Sequence, residues 1–202
     1  LVPLHTQTLP VEGYAENTAF YVYAAFFNIL LTYGMETSFF RFFSQSKNPK
    51  QVVSTATITL AFTTLFVFSI LFLQTNPIAE VLGMAPRHFS LLLGVLLCDS
   101  LVVLPFAYLR ATGKVPKFTF LKLSNVCIYA TLNVLFLWWF PLQGISLPWG
   151  TDPVQYVFIS NLLASAFVLL FLLPFYFQIQ WNWHAALLRK MLGYGAPIMF
   201  AG

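Results

Sequence analysis

Asp99 sits at the middle of an apolar run covering residues 89–109, too deep for its short side chain to reach water. A carboxylate there costs about 2.5–3.5 kcal/mol on insertion into hydrocarbon. It therefore either faces a hydrated cavity, binding a cation or exchanging a proton, or makes a polar contact with a Ser, Thr or Asn of a neighbouring helix. Glu36 lies about one helical turn inside the end of another apolar run, residues 19–40, and Arg41 marks that end. Five residues put these two charges about 140° apart around a helix, so their partners must come from other helices or from a ligand. Arg41, flanked by Phe39, Phe40, Phe42 and Phe43, reads either as a ligand-facing cation or as a snorkelling anchor. Two polar stripes accompany these charges. Tyr21, Asn28, Thr32 and Glu36 fall within an arc of about 80° on one helix, and Lys122, Asn125, Tyr129 and Asn133 occupy a similar arc on another. Such stripes belong against other helices or a hydrated cavity, because lipid would strand their hydrogen-bonding groups. Two of them point to a central cavity, with interhelical hydrogen bonding as the alternative for each.

The elements that carry these residues follow from length and charge. Apolar runs near 19–40, 52–73, 89–109, 118–140 and 154–177 each match the roughly 20 residues a helix needs to cross a bilayer. Nine of the ten Lys and Arg fall in every second connection: Arg41, Lys47 and Lys50; Arg110, Lys114, Lys117 and Lys122; Arg189 and Lys190. The alternate connections hold only Arg87, beside Glu12, Glu16, Glu80 and Asp152. A chain threaded back and forth through a membrane acquires this asymmetry, with its cationic ends in the cytoplasm. The expected architecture is all-α: a polytopic transmembrane bundle over residues 19–177, preceded by the tail of a truncated span and an outer loop (1–18). A cytoplasmic interfacial helix and the start of a further span (178–202) follow it. Trp183, Leu187, Leu188, Met191 and Leu192 recur at helical spacing in that last segment. The chain reads as a piece of a larger membrane protein.

Composition excludes several classes. Hydrophobic residues make up 59% and charged residues 8%, against roughly 45–50% and about 25% in soluble domains. The cations sit at span ends rather than on one face, so anionic lipid headgroups, not nucleic acid, are the expected counter-charge. Cys98 and Cys127 lie inside apolar runs and read as packing residues. No phosphate loop, HExxH motif or Cys/His cluster occurs, so no cofactor, metal or catalytic function is expected. His5, His88 and His184 are read as residues of connections, and Asp152 and Glu80 as isolated acids. The Ser and Thr residues of the second run wrap round the helix and are expected to bond their own backbone. Pro105 and Pro174 fall late in their runs, where each removes a backbone donor.

The run Tyr33-Gly34-Met35-Glu36-Thr37-Ser38-Phe39-Phe40-Arg41-Phe42 resembles the corresponding segment of Wzx-like oligosaccharide flippases, within the multidrug/oligosaccharidyl-lipid/polysaccharide exporter superfamily. Pro105-Phe106-Ala107-Tyr108-Leu109-Arg110-Ala111, Lys122-Leu123-Ser124-Asn125 and Leu192-Gly193-Tyr194-Gly195-Ala196-Pro197 are similar to further stretches of that family. The resemblance spans essentially the whole chain by order and spacing. It implies two six-helix lobes facing a central cavity, this chain holding most of the N-terminal lobe and needing the remaining helices of the full transporter. It further implies a bacterial inner-membrane location and transfer of undecaprenyl-diphosphate-linked glycan to the outer leaflet. On that analogy Arg41, then Lys122, meets the diphosphate, and Glu36 and Asp99 couple transport or shape the cavity field. A cation-coupled multidrug exporter of the same superfamily and a non-transporting membrane scaffold are the rival readings.

Overall fold

The computed structural model describes residues 2–145 and 152–199, and among these the chain is helices joined by short connections, without a strand. In order the helices are α1 (Val2–Thr8), α2 (Val11–Thr32), α3 (Met35–Gln45), α4 (Pro49–Leu73), α5 (Thr75–Val81) and α6 (Pro86–Ala111). Next come α7 (Val115–Val134), α8 (Phe140–Leu142), α9 (Pro153–Gln178) and α10 (Ala185–Met199). A π-helical turn, Leu135–Trp139, joins α7 to α8 without a break. Among the described residues, five segments are long and apolar enough to cross a bilayer: Val11–Gln45, Pro49–Leu73, Pro86–Ala111, Val115–Leu142 and Pro153–Gln178. The protein is an all-α, multi-pass membrane bundle.

Prolines start these helices. Pro49, Pro86, Pro116 and Pro153 each stand in the first turn, where a missing N–H costs nothing and the fixed φ suits a helix. Asp152 adds a cap, its carboxylate accepting from the Val154 N–H at 3.0 Å. The α6–α7 connection turns at Gly113, whose φ of 74° is open to glycine. Bonds from Gly113 N to Arg110 O and from Lys114 N to Leu109 O close that helix end.

At the centre stands α6, packed against α2, α3, α4, α5, α7 and α9. It buries Phe89, Leu92, Leu93, Leu104 and Ala107. Pro105 lies inside it and leaves the Leu101 carbonyl without its helical donor. The Tyr176 hydroxyl of α9 donates to that carbonyl, so the proline is accommodated by a neighbouring span. Around this core, large apolar side chains such as Phe62, Phe66, Leu123 and Leu170 point outward, which suits a lipid-facing perimeter.

Four expectations are corrected. Residues 5–18, expected as an outer loop, fall in α1 and α2 except Leu9 and Pro10, so the first spanning helix begins at Val11 rather than Ala19. Glu16 in this stretch meets His88, and Gly13 lets α2 approach Val154 of α9, where a Cβ would come within 2.6 Å of that side chain. The first span is also broken. Tyr33 (φ 36°) and Gly34 (φ 70°) both adopt the left-handed conformation, ending α2 and starting α3. The third correction concerns the segment expected as an interfacial helix before a further span. It is one helix, α10, docked on α3 and α4, with Met191 buried. Here α3 and α10 touch through backbone at Gly34 and Gly195, and the Ser38 hydroxyl donates to Met191 O at 2.7 Å. Fourth, the early Ser and Thr residues of α4 do not all bond their own helix. Ser54 donates to Gln180 O, while Thr55 and Thr59 accept from His184 N–H (3.3 Å) and Trp183 Nε1–H (3.0 Å), pinning the 179–184 connection. Thr63 and Ser69 do bond carbonyls in their own helix. Leu1, residues 146–151, and residues 200–202 of the expected further span lie outside the described residues.

Candidate functional site

A cavity of about 400 Å³ lies between α2, α3, α6, α7 and α9, lined by Glu36, Asp99, Arg110, Lys122, Asn28, Asn125, Asn161 and Ser165 with several apolar residues. Helical periodicity builds it. On α6, Asp99, Val102, Val103, Phe106 and Arg110 share one face within an arc of about 100°. On α7, Phe118, Lys122 and Asn125 do the same, and on α9 Asn161, Ser165 and Val168. The break at Tyr33-Gly34 starts α3 afresh, with Glu36 in its first turn, where backbone N–H groups favour a carboxylate.

The charges are arranged in opposite-sign neighbours. Arg110 donates to a Glu36 carboxylate oxygen, joining α6 to α3. The Arg110 guanidinium carbon stands 5.0 Å from the Phe40 ring centroid and 5.1 Å from that of Phe118, contacts that favour a cation while leaving it partly exposed. The Lys122 ammonium lies 4.8 Å over the Phe106 ring. Asp99 faces the Ser165 hydroxyl and the Lys122 charge. Two carboxylates and two cations give the lining no formal net charge. The Asn28 side-chain oxygen, also in the lining, is buried and has no hydrogen-bond partner among the described residues, an acceptor open to a ligand donor or to water.

Of the residues singled out from sequence, Glu36, Asp99, Lys122, Asn28 and Asn125 come together in this cavity. Tyr129 and Asn133 do not line it. The Tyr129 and Tyr21 hydroxyls are 2.6 Å apart, tying α7 to α2, and Asn133 Oδ1 lies 3.0 Å from His5 Nε2, tying α7 to α1. The two polar stripes therefore divide: Tyr21, Tyr129 and Asn133, toward the acidic end, bond across helices, while Asn28, Glu36, Lys122 and Asn125, toward the cationic end, line the cavity, and Thr32 bonds its own helix. Arg41 also stands elsewhere. Its guanidinium lies 4.1 Å over the Tyr194 ring of α10, on the far side of α3, because five residues of helix turn it away from Glu36. Arg110, expected only as a span-end cation, is the second cation lining the cavity. Its eleven-residue spacing from Asp99, three turns with about 20° of drift, was the available signal. Asn161 and Ser165, four residues apart, carried a weaker signal of the same kind.

The acidic end has its own network. His88, buried, places Nδ1 2.7 Å from Glu16 Oε1 and Nε2 3.1 Å from Asp152 Oδ2, linking α2, α6 and the cap of α9. Neither His88 nor His5 is a loop residue, and Asp152 is not isolated. Replacing His88 with leucine removes both contacts and leaves both carboxylates without that partner. Both carboxylates keep some access to water, so a loss of about 1–2 kcal/mol is expected. Denaturant unfolding of the purified protein checks this, and an unchanged midpoint would contradict a structural role for the network.

Compared with protein-family profiles, characterised proteins and solved structures, the chain matches none.

Proposed function

We propose that this chain forms one lobe of a bacterial inner-membrane transporter that moves lipid-linked oligosaccharide from the cytoplasmic to the outer leaflet by alternating access. The observation that carries this reading is the cavity itself: two cations, two carboxylates and three asparagines facing one space inside an otherwise apolar bundle. Charge at that depth is retained where it meets a substrate or ion. The Lys/Arg-rich end faces the cytoplasm by charge asymmetry, so Arg110 and Lys122 stand near the side from which a lipid diphosphate arrives. Arg110 takes the role that the family resemblance assigned to Arg41.

Without substrate, Glu36 and Asp99 keep the two cations in place and the cavity neutral. An arriving diphosphate offers charge-assisted hydrogen bonds worth about 1.5–3 kcal/mol each. The half-exposed Glu36–Arg110 pair is worth at most about 1 kcal/mol, so exchange of partners favours the substrate. The asparagine amides suit glycan hydroxyls, and the polyprenyl tail stays in lipid.

A second reading, export of an organic cation coupled to ion binding, is favoured by one observation: Asp99 faces a hydroxyl, Ser165, in the lining. The full-length protein in proteoliposomes separates the two. Transfer of a fluorescent undecaprenyl-diphosphate glycan between leaflets supports the flippase; efflux of an organic cation with no glycan transfer contradicts it.

A further inference from the structure

The whole chain contains six carboxylates: Glu12, Glu16, Glu36, Glu80, Asp99 and Asp152. Four lie toward the acidic end, and the other two face Arg110 and Lys122 in the cavity. None is left for the remaining cations at the opposite end, Lys47, Lys50, Lys114, Lys117, Arg189 and Lys190. Three of these lysines converge. Lys50 lines a cleft of about 180 Å³ with Ser54, Tyr108, Phe175, Gln178 and Gln180. Lys114 and Lys117 line a neighbouring cleft of about 80 Å³ that shares Tyr108, Phe175 and Gln178. They reach this place from the starts of two separate helices, Lys50 from the first turn of α4 and Lys114 and Lys117 from the start of α7, and among the described residues no carboxylate lines either cleft. The second cleft continues onto Leu109, Phe171, Leu172 and Pro174, of which Phe171 is half exposed at the perimeter. A strip of cations beside an apolar, lipid-facing groove matches a ligand with a phosphate head and acyl tails.

We propose that these joined clefts, at the cationic ends of α4, α6, α7 and α9, form a binding site for an acidic phospholipid, separate from the cavity. The headgroup phosphate sits among Lys50, Lys114 and Lys117, with the Gln178 side chain at its margin, and one acyl chain lies along the exposed Phe171 and Pro174. The lipid supplies the counter-charge that this part of the chain lacks. A soluble phosphate would satisfy the lysines but leave the apolar groove uncovered, so the lipid is the better match. The site does not depend on what the cavity carries.

The test is native mass spectrometry of the full-length protein released from nanodiscs containing phosphatidylglycerol and phosphatidylcholine in equal amounts. Wild type is expected to retain phosphatidylglycerol in preference, and the K50Q/K114Q/K117Q variant to lose that preference by roughly tenfold, from three surface lysines acting on one headgroup. Lys47→Gln, outside the clefts, and the K50R/K114R/K117R variant are expected to behave as wild type. Equal retention by wild type and the triple glutamine variant overturns the proposal. So does full displacement of the lipid by millimolar inorganic phosphate, which would assign the lysines to a soluble anion. Loss of preference in the arginine variant likewise overturns it, since charge at the site would then be insufficient.

Discussion

Gly34→Ala is expected to destabilise the protein by roughly 2–5 kcal/mol, far more than the same change at Gly83 or Gly113. All three glycines have positive φ, between 66° and 74°, so each alanine carries a left-handed backbone penalty of about 1–2 kcal/mol. Around Gly83 and Gly113 nothing stands within 4 Å of an added Cβ, so the penalty ends there. At Gly34 the added Cβ would overlap the backbone of Gly195, its carbonyl above all. Backbone cannot swing aside as a side chain can, and overpacking of this kind adds about 1–3 kcal/mol. The neighbouring Ser38–Met191 bond and the Arg41–Tyr194 contact fix the same α3–α10 pairing, so α10 would have to move as a body. Unfolding midpoints of the three variants check this. Equal losses at all three positions would mean that α3 and α10 do not meet through these glycines.

The second large effect follows from the proposed function and falls on transport rather than stability. Arg110→Ala and Lys122→Ala are each expected to reduce glycan transfer at least tenfold, the loss of about 1.4 kcal/mol or more of binding to a charged headgroup. Arg110 and Glu36 keep 37% and 40% of their side-chain surface exposed, so solvent screens their pair and removal of Arg110 costs the fold about 1 kcal/mol or less. Arg41→Ala, whose guanidinium packs on Tyr194 outside the cavity, is expected to transport nearly normally. The comparison is therefore among three single cation deletions in one assay, with unfolding measured alongside. A severe transport defect in Arg41→Ala with normal activity in Arg110→Ala would return the headgroup role to Arg41 and refute the assignment.

The spans were legible because an apolar run long enough to cross a bilayer is a signal that no single residue can mask. What escaped was local. Tyr33 takes a positive φ inside an apolar run, and only the adjoining Gly34 hints that the helix breaks there. That break decides where Glu36 points. Helix continued to Val11 through polar residues because Glu16 and Gly13 answer to α6 and α9, elements remote in sequence. The cavity was half legible: Glu36, Asp99, Lys122, Asn28 and Asn125 were marked by polarity within apolar runs. Arg110 sits at a helix end, where a cation has an ordinary membrane-surface role, and only its alignment with Asp99 sets it apart. Ser54, Thr55 and Thr59 looked like backbone-bonding residues because nothing in α4 itself announces the connection that crosses it.

The central claim is that a hydrated, charged cavity sits inside the membrane and opens toward the Lys/Arg-rich side. The chain supplies its own control in Cys127, which is exposed on α7 two residues from the cavity-lining Asn125. In the Asn125→Cys variant of the full-length protein, a water-soluble thiol reagent applied to the Lys/Arg-rich side is expected to modify residue 125 while Cys127, facing lipid, stays unreacted. Modification of both positions at similar rates, or of neither, would contradict the account.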